Sequence, residues 1–237
     1  MLVRNWMSKE TTTLDINDSV MKVAEQLKKK STDLLPVVDK GRLVGIITEK
    51  SLAEGIGAGL KSMEINKLLT HVSGLKVKNI MIEKPATIYE DSTIEAAAEV
   101  LLAKNLLALP VIDHNNRLRG VISGNDIFRV LVSLLGTRKC GLQIALFLED
   151  KPGSLKEMTD ILREYGCRVI SILSTIHEKE GLRHVYINTC DCDPQRISMM
   201  KEELKEKFKV LYFAEHGTEC REILQEYERP RTEWYIG

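Results

Sequence analysis

The run LPVIDHNNRLRGVISGNDIF, residues 109–128, occurs twice in this chain, the other time in altered form as LPVVDKGRLVGIITEKSL at residues 35–52. Pro36 matches Pro110 at an offset of 74 positions, and one extra residue in the second run makes the offset 75 beyond it. A structural unit that recurs in tandem buries its apolar face against its neighbour. We therefore expect the two copies to build a cleft that neither copy builds alone.

The composition is that of an ordinary globular chain without a dominant charge. Of the 237 residues, 43% are hydrophobic, and 34 Lys and Arg residues balance 34 Asp and Glu residues. This balance argues against nucleic acid or an anionic membrane as a partner. The sequence has no apolar window of about 18 residues, as a membrane span needs, and it shows no signal peptide. We expect a cytoplasmic protein.

The five cysteines are odd in number and irregular in spacing, which predicts reduced thiols. Cys190 and Cys192 could form a metal site with His184 or His177, but the chain offers no second cysteine pair at zinc spacing. The five histidines have no Ser or Cys partner in a recognisable nucleophile setting. We predict neither a metal site nor a catalytic site.

Each copy shows the same order of elements: a short extended segment, a helix, two strands joined by a tight hairpin, and a second helix. Apolar residues at helical spacing mark the first helix of each copy, and they are Val20, Val23, Ala24 and Leu27, then Ile94, Ala97, Ala98 and Leu101. The strands are predicted at 34–38, 43–48, 107–112 and 118–123. The second helix of copy two is predicted at 125–135.

A connector is predicted between the copies at 53–74, with a helix at 63–72. Gly55, Gly57 and Gly59 resemble a dinucleotide-binding loop only in part, because the third glycine at the required spacing and the preceding strand are missing. We interpret these glycines as part of the connector.

A different pattern begins after residue 138. Strands are predicted at 142–148, 168–176, 183–189 and 209–213, with helices at 154–165 and 194–208. This βαββαβ order is the ferredoxin-like arrangement. The tail, 215–237, is predicted to be a surface helix with a loose end. The fold class is thus α+β.

Ser123 and Asp126 are the first candidate ligand-binding residues. They lie where a strand becomes a helix, so free backbone N–H groups and the positive end of the helix dipole meet there. The hydroxyl of Ser123 can donate to a phosphate oxygen, and an ionised Asp126 can accept both hydroxyls of a ribose. The alternative is a capping box, because Ser-x-x-Asp also satisfies the helix N-terminus without a ligand.

The duplicated unit resembles the CBS domain tandem, or Bateman module. In that family a Ser or Thr, two further residues, an Asp and an aliphatic residue follow the last strand, as Ser123, Asp126 and Ile127 do here. The resemblance implies an adenine nucleotide (AMP, ADP or ATP) in the cleft, with Asp126 on the ribose and Ser123 on the phosphate. It also implies that the adenine is bordered by four residues: Thr87, Ile88, Leu109 and Pro110.

Copy one departs from this motif. Thr48 is present, but Ser51 stands at the position of the Asp. Because the bidentate ribose acceptor is missing, one main site is expected, in copy two. Arg129 is a weak candidate for a phosphate contact.

The stretch LEDKPGSLKEMTDILREYG, residues 148–166, resembles the opening of an ACT domain. Asp150, Pro152, Gly153 and Leu155 match the family's turn. Such turns contact an amino acid or another small metabolite at a subunit interface, which makes Asp150, Pro152 and Gly153 candidate ligand residues. A turn in a domain that serves only dimerisation is the alternative.

The order of two CBS motifs and one ACT domain, together with INKLLTHVSGLKVKNIM at 65–81, resembles the acetoin-utilization B-type group. The domains are then 1–74 (first CBS domain with connector), 75–138 (second CBS domain), 139–214 (ACT domain) and 215–237 (tail). The resemblance implies a non-catalytic regulatory sensor that forms a homodimer or a tetramer and signals to another protein. An enzyme and a structural oligomerisation module with vestigial pockets are the alternatives.

Overall fold

The computed structural model of the chain describes residues 1–30, 33–57, 74–136, 141–177, 181–215 and 221–225. The chain forms two compact units, Met1–Val130 and Leu131–Gly237. The helix predicted at 63–72 and the end of the tail lie outside the described residues. None of the helices in the described ranges is long and apolar enough to cross a lipid bilayer.

Copy one contains the predicted elements in the predicted order. They are β1 (Leu14–Asp15), α1 (Val20–Lys30), β2 (Leu35–Asp39), β3 (Arg42–Ile47) and α2 (Glu49–Gly57). The connector prediction was wrong for residues 53–57, because α2 continues through Gly55. A Cβ atom at Gly55 would lie 2.3 Å from Cγ2 of Ile80. The glycine therefore lets the next segment of the chain pack directly on the helix.

Copy two repeats this order. Its elements, with the short strand that precedes them, are β4 (Ile82–Glu83), β5 (Ile88–Tyr89), α3 (Ile94–Ala103), β6 (Ala108–Ile112), β7 (Leu118–Ser123) and α4 (Gly124–Leu135). The hydroxyl of Thr93 caps α3 by accepting a hydrogen bond from the backbone N of Ala96 at 3.2 Å. The pairs β1–β2 and β5–β6 are parallel. The hairpin pairs β2–β3 and β6–β7 are antiparallel.

Each copy receives a short segment from the other. The 3₁₀ turn Val3–Asn5 precedes copy one, yet the backbone N of Val3 donates to Ser92 O and its side chain is fully buried in the core of copy two. The equivalent turn Val77–Asn79 precedes copy two, and Val77 is fully buried in the core of copy one. The two copies therefore exchange equivalent segments.

The exchanged segments also extend the sheets. Ser8 pairs with Val121 of β7 through backbone hydrogen bonds of 2.9 and 3.1 Å. In the same way β4 pairs with β3 of copy one. Neither sheet is therefore complete without a strand residue from the other copy.

An apolar cluster joins the sheets of the two copies. Its members are related in pairs by the repeat, and they are Leu34, Ile46, Ala108 and Val121. The hairpins of the two copies also touch, since Asn116 O accepts from Leu43 N and Asn116 Nδ2 donates to Leu43 O, both at 3.0 Å. These contacts fix the cleft between the copies.

The second unit has the predicted βαββαβ order with one added strand. Its elements are β8 (Leu142–Glu149), α5 (Ser154–Glu164), β9 (Arg168–His177), β10 (Leu182–Cys190), α6 (Ile197–Lys207), β11 (Lys209–Glu215) and β12 (Arg221–Ile223). The antiparallel sheet has the order β12-β11-β8-β10-β9. The prediction of a helix in the tail was wrong for the residues of β12. These residues form a strand that pairs with the backbone of β11 at the edge of the sheet.

Cys167 and Cys192 form a disulfide in the second unit, so the prediction of reduced thiols was wrong for this pair. Cys190 is a buried free thiol. The cause lies in the β9–β10 hairpin, whose register places Cys190 opposite Arg168 and so brings the residues just beyond both strands together. A separation of 25 residues in sequence did not reveal this proximity.

Candidate functional site

Ser123 and Asp126 lie together at the junction of β7 and α4. One carboxylate oxygen of Asp126, Oδ2, accepts hydrogen bonds from the backbone N of Ser123 at 2.9 Å and from its hydroxyl at 2.7 Å. The hydroxyl in turn accepts from the backbone N of Asp126 at 3.3 Å. The residues thus form the capping box that the sequence left open as an alternative.

The remaining carboxylate oxygen, Oδ1, accepts a hydrogen bond from Nη1 of Arg129 at 3.0 Å. The side chain of Asp126 is only 7% exposed, whereas that of Arg129 is 74% exposed. A nearly buried carboxylate is therefore held by a cation that is itself mostly in solvent.

A cavity of about 360 Å³ adjoins this carboxylate and lies between the two copies. Its volume falls in the range of small-molecule sites. Its walls come from both copies and from the exchanged N-terminal segment. They are formed by Ser8, Glu10, Thr11, Thr12, Asp33, Leu35, Ala108, Val121, Ser123, Asn125, Asp126 and Arg129.

The walls of the cavity divide into an apolar and a charged part. Leu35, Ala108 and Val121 provide an aliphatic surface. Among the described residues that line the cavity, Arg129 carries the one positive charge, against the carboxyl groups of Glu10, Asp33 and Asp126. The part of the chain that the structure describes holds no group of three or more His, Cys, Asp or Glu residues arranged to bind a metal ion.

The four residues expected at the adenine lie away from the cavity walls. Leu109 is fully buried in the core of copy two, and Ile88 packs against that same core. Pro110 is buried in β6, and Thr87 is half-buried just before β5. The structure brings Ser123 and Asp126 to the cavity and leaves these four outside its lining.

Alternation along β6 explains the difference. Ala108 and Leu109 point to opposite faces of the sheet, and Ala108 lies opposite Ser123 in the β6–β7 hairpin. The side chain next to the proposed ribose site is therefore that of Ala108. Counting the hairpin register back from Ser123 was a signal that could have found Ala108. The contribution of Thr11 and Thr12 depends on the segment exchange, which no local sequence pattern predicts.

The equivalent position in copy one is closed by its own hydrogen bonds. The hydroxyl of Ser51 accepts from the backbone N of Thr48 at 3.0 Å and donates to the carbonyl oxygen of Thr48 at 3.1 Å. Ser51 is buried. A serine here completes the helix cap but has no carboxylate for a sugar diol.

A second cavity, also of about 360 Å³, lies at the turn that precedes α5. Asp150, Pro152 and Gly153 line it, as does Arg183 of β10, which forms an ion pair with Asp150. Gly153 has φ of +93°, in the left-handed region that favours glycine. The three candidate ligand residues of the second unit thus surround one concave surface.

Comparison with known proteins concerns the first unit. The family model described as "CBS domain" matches residues 3–58 and 77–133. A CBS domain-containing protein of Dictyostelium discoideum is 31% identical over 136 residues, and the match covers 57% of this chain and 94% of that protein. For another curated relative, from Methanocaldococcus jannaschii, the match covers only 23% of that protein's length.

Two solved structures resemble the same part of the chain. Protein MJ1225 of Methanocaldococcus jannaschii has a TM-score of 0.50 and 25% identity, with 55% of this chain and 47% of that chain covered. The CBS domain pair of protein MJ0100, in complex with 5′-methylthioadenosine and S-adenosyl-L-methionine, has a TM-score of 0.46 and 30% identity, with 56% and 97% covered. The family match and the relative from Dictyostelium, nearly all of which is covered, establish that this chain belongs to the CBS domain-containing proteins.

Proposed function

We propose that this protein is a non-catalytic regulatory sensor that binds an adenine nucleotide, AMP, ADP or ATP, in the cleft between its two CBS copies. The observation that carries the proposal is the carboxylate of Asp126, which is almost completely buried and faces a cavity large enough for a small molecule. Asp126 accepts the ribose hydroxyls. The single hydrogen of the Ser123 hydroxyl is donated to Asp126 Oδ2, so the phosphate lies beside Ser123 at the N-terminus of the helix that follows it.

Two features of the cavity support this assignment. The helix α4 begins at Gly124, so its positive dipole end lies beside the proposed phosphate position. The aliphatic side chains of Leu35, Ala108 and Val121 offer a surface on which a purine ring can pack. The adenosine moiety thus meets an acceptor for its diol and an apolar wall for its base.

The proposed mechanism is a shift between arrangements of the two copies. The cavity has walls from copy one, from copy two and from the exchanged segment, so a ligand there contacts all three. It changes the equilibrium only by its difference in affinity between the arrangements. Couplings of this kind amount to about 1–3 kcal/mol.

Calorimetric titration of AMP, ADP and ATP into wild-type protein, Asp126→Asn and Ser51→Ala tests the proposal. The amide of Asp126→Asn still accepts from Ser123, so the helix cap survives while one carboxylate oxygen becomes an N–H donor. We expect Asp126→Asn to weaken nucleotide binding about tenfold or more. Ser51→Ala, the control in copy one, leaves binding unchanged. Equal losses from both variants contradict a main site at Asp126.

For the second unit we propose an ACT domain that dimerises and senses an amino acid or another small metabolite. Its strand order and the turn with Asp150, Pro152 and Gly153 support this proposal, as does the adjoining cavity. With the two CBS copies, this assignment leads us to propose that the chain belongs to the acetoin-utilization B-type group. A thermal-shift screen of the twenty amino acids, repeated on Gly153→Ala, tests it: a hit that the variant loses supports the turn as the site.

A structural oligomerisation module with vestigial pockets is the second candidate. The observation in its favour is that Asp126 and Ser51 both satisfy their helix N-termini without a ligand. Thermal shift distinguishes the two functions, because a ligand at a hundredfold excess over its dissociation constant stabilises the fold by about 2.7 kcal/mol. We include S-adenosyl-L-methionine and 5′-methylthioadenosine in that panel because they share the adenosine moiety. No shift with any of these compounds favours the structural module.

A further inference from the structure

The ion pair between Asp126 and Arg129 occupies the part of the carboxylate that a ribose would need. A carboxylate offers about two acceptor positions on each oxygen. Both positions of Oδ2 are used by the backbone N and the hydroxyl of Ser123. Arg129 uses one position of Oδ1. One acceptor position therefore remains for a diol that has two hydroxyls to donate.

Arg129 is also the partner that can leave most easily. Ser123 is fixed at the end of β7, where its backbone N–H is part of the strand-to-helix junction. The guanidinium of Arg129 lies at the end of a long side chain that is 74% exposed, so solvent already hydrates it. Release of Arg129 frees the second acceptor position on Oδ1 without disturbing the helix cap.

A released Arg129 still faces the cavity, whose described lining has no other cation. A ligand with a 5′-phosphate restores the lost ion pair, because guanidinium groups bind phosphate oxygens strongly. A nucleoside without phosphate does not restore it. We propose that Arg129 exchanges Asp126 for the ligand's phosphate, and so makes this site selective for a nucleoside 5′-monophosphate over the nucleoside. This inference rests on the nucleotide site proposed above.

The exchange makes opposite predictions for two probes, AMP and adenosine. Arg129→Ala removes the group that competes with the ribose for the carboxylate of Asp126. Adenosine therefore binds about threefold more tightly. AMP has lost its phosphate partner and binds about tenfold more weakly. Arg129→Lys keeps the charge and keeps a preference for AMP. Calorimetry with both probes measures these affinities.

Arg119→Ala is the matched control, since Arg119 pairs with Asp113 and Glu90 outside the cavity lining. It should leave both affinities unchanged. The exchange is overturned if Arg129→Ala changes AMP and adenosine binding in the same direction, or changes neither. The nucleotide site itself survives that result when wild-type protein binds AMP and Asp126→Asn binds it about tenfold or more weakly. Wild-type protein that binds neither probe overturns both proposals.

Discussion

A Cβ atom at Gly120 would lie 2.4 Å from the carbonyl oxygen of Ser8. The same relationship exists in copy one, where a Cβ atom at Gly45 would lie 2.9 Å from the carbonyl oxygen of Ile82. Gly120 and Gly45 therefore mark the two places where an exchanged segment crosses a strand of the other copy. In both cases a side chain would meet a backbone oxygen, which cannot turn away as a flexible side chain can. At Gly45 it would also meet Sδ of Met81, at 2.8 Å.

Gly120→Ala should destabilise the first unit by about 1–3 kcal/mol, because overpacking forces the strand and the exchanged segment apart. Chemical denaturation followed by circular dichroism measures the free energy of unfolding. Gly57→Ala is the control, because a Cβ atom at Gly57 meets nothing within 4 Å. If both variants lose the same stability, close approach at Ser8 is not the cause.

Reduction of the Cys167–Cys192 disulfide should lower the stability of the second unit. The bond closes a loop of 25 residues, for which loop-closure entropy amounts to about 3 kcal/mol. Thermal unfolding with and without reductant measures the effect, and Cys190→Ser, at the buried free thiol, should retain the difference. Alkylation of unreduced protein in denaturant provides a second measurement, in which, of the five cysteines, Cys190 reacts and Cys167 and Cys192 do not. Reaction of all five would contradict the bond.

The stability of the first unit should depend on pH through His114. Its Nε2 lies 2.9 Å from Oδ2 of Asp91, and its ring stacks on Tyr89. The hydrogen bond to Asp91 raises the pKa of the His114 imidazole above its ordinary value, and the same bond lowers the pKa of the Asp91 carboxyl. The neighbouring carboxylates of Asp113 and Glu90 also raise the pKa of His114.

A raised pKa means that the folded protein holds the proton more tightly than the unfolded chain. The stabilisation is therefore complete below the unfolded histidine pKa of about 6.5, and it is lost as pH rises through the folded pKa. We expect the melting temperature of wild-type protein to exceed that of His114→Gln by more at pH 5.5 than at pH 8.5. An equal difference at the two pH values would show that the charge of His114 has no part in it.

We expect the protein to self-associate through α4. The exposed apolar side chains Phe128, Leu131 and Val132 follow one another at helical spacing, and their exposed fractions are 64%, 46% and 40%. Such patches mark association surfaces. Phe128→Glu should raise the dissociation constant of the homodimer at least about tenfold in sedimentation experiments, because it places a charge in the contact. Met21→Glu, at an exposed apolar residue of α1, serves as control, and equal assembly of all three proteins argues against α4.

The repeat made the order of elements predictable, because Pro36 and Pro110 align two copies whose hairpins fold in the same way. Ser123 and Asp126 were predictable because their contacts are local, three residues apart at a helix start. Leu109 was placed at the adenine, but in the structure it lies in the core, because the face on which a strand residue lies depends on the register with its partner.

Contacts that join distant parts of the chain were not predictable in this way. Ser8 reaches Val121 only because the N-terminal segment crosses to the other copy. Cys167 meets Cys192 only through the β9–β10 hairpin. In both cases the sequence contains the residues but not the pairing, which depends on how larger elements pack.

The exchanged segments also set an order for synthesis. Copy one requires Val77 for its core and β4 for its sheet, so it remains unfinished until the ribosome has made residue 83. Copy two, in contrast, finds Val3 and Ser8 already present when its last strand emerges. A nascent chain that stalls between the copies therefore exposes the unfinished core of copy one, and it also exposes Val3, whose partner copy has not yet been made. Such intermediates are the species that chaperones protect.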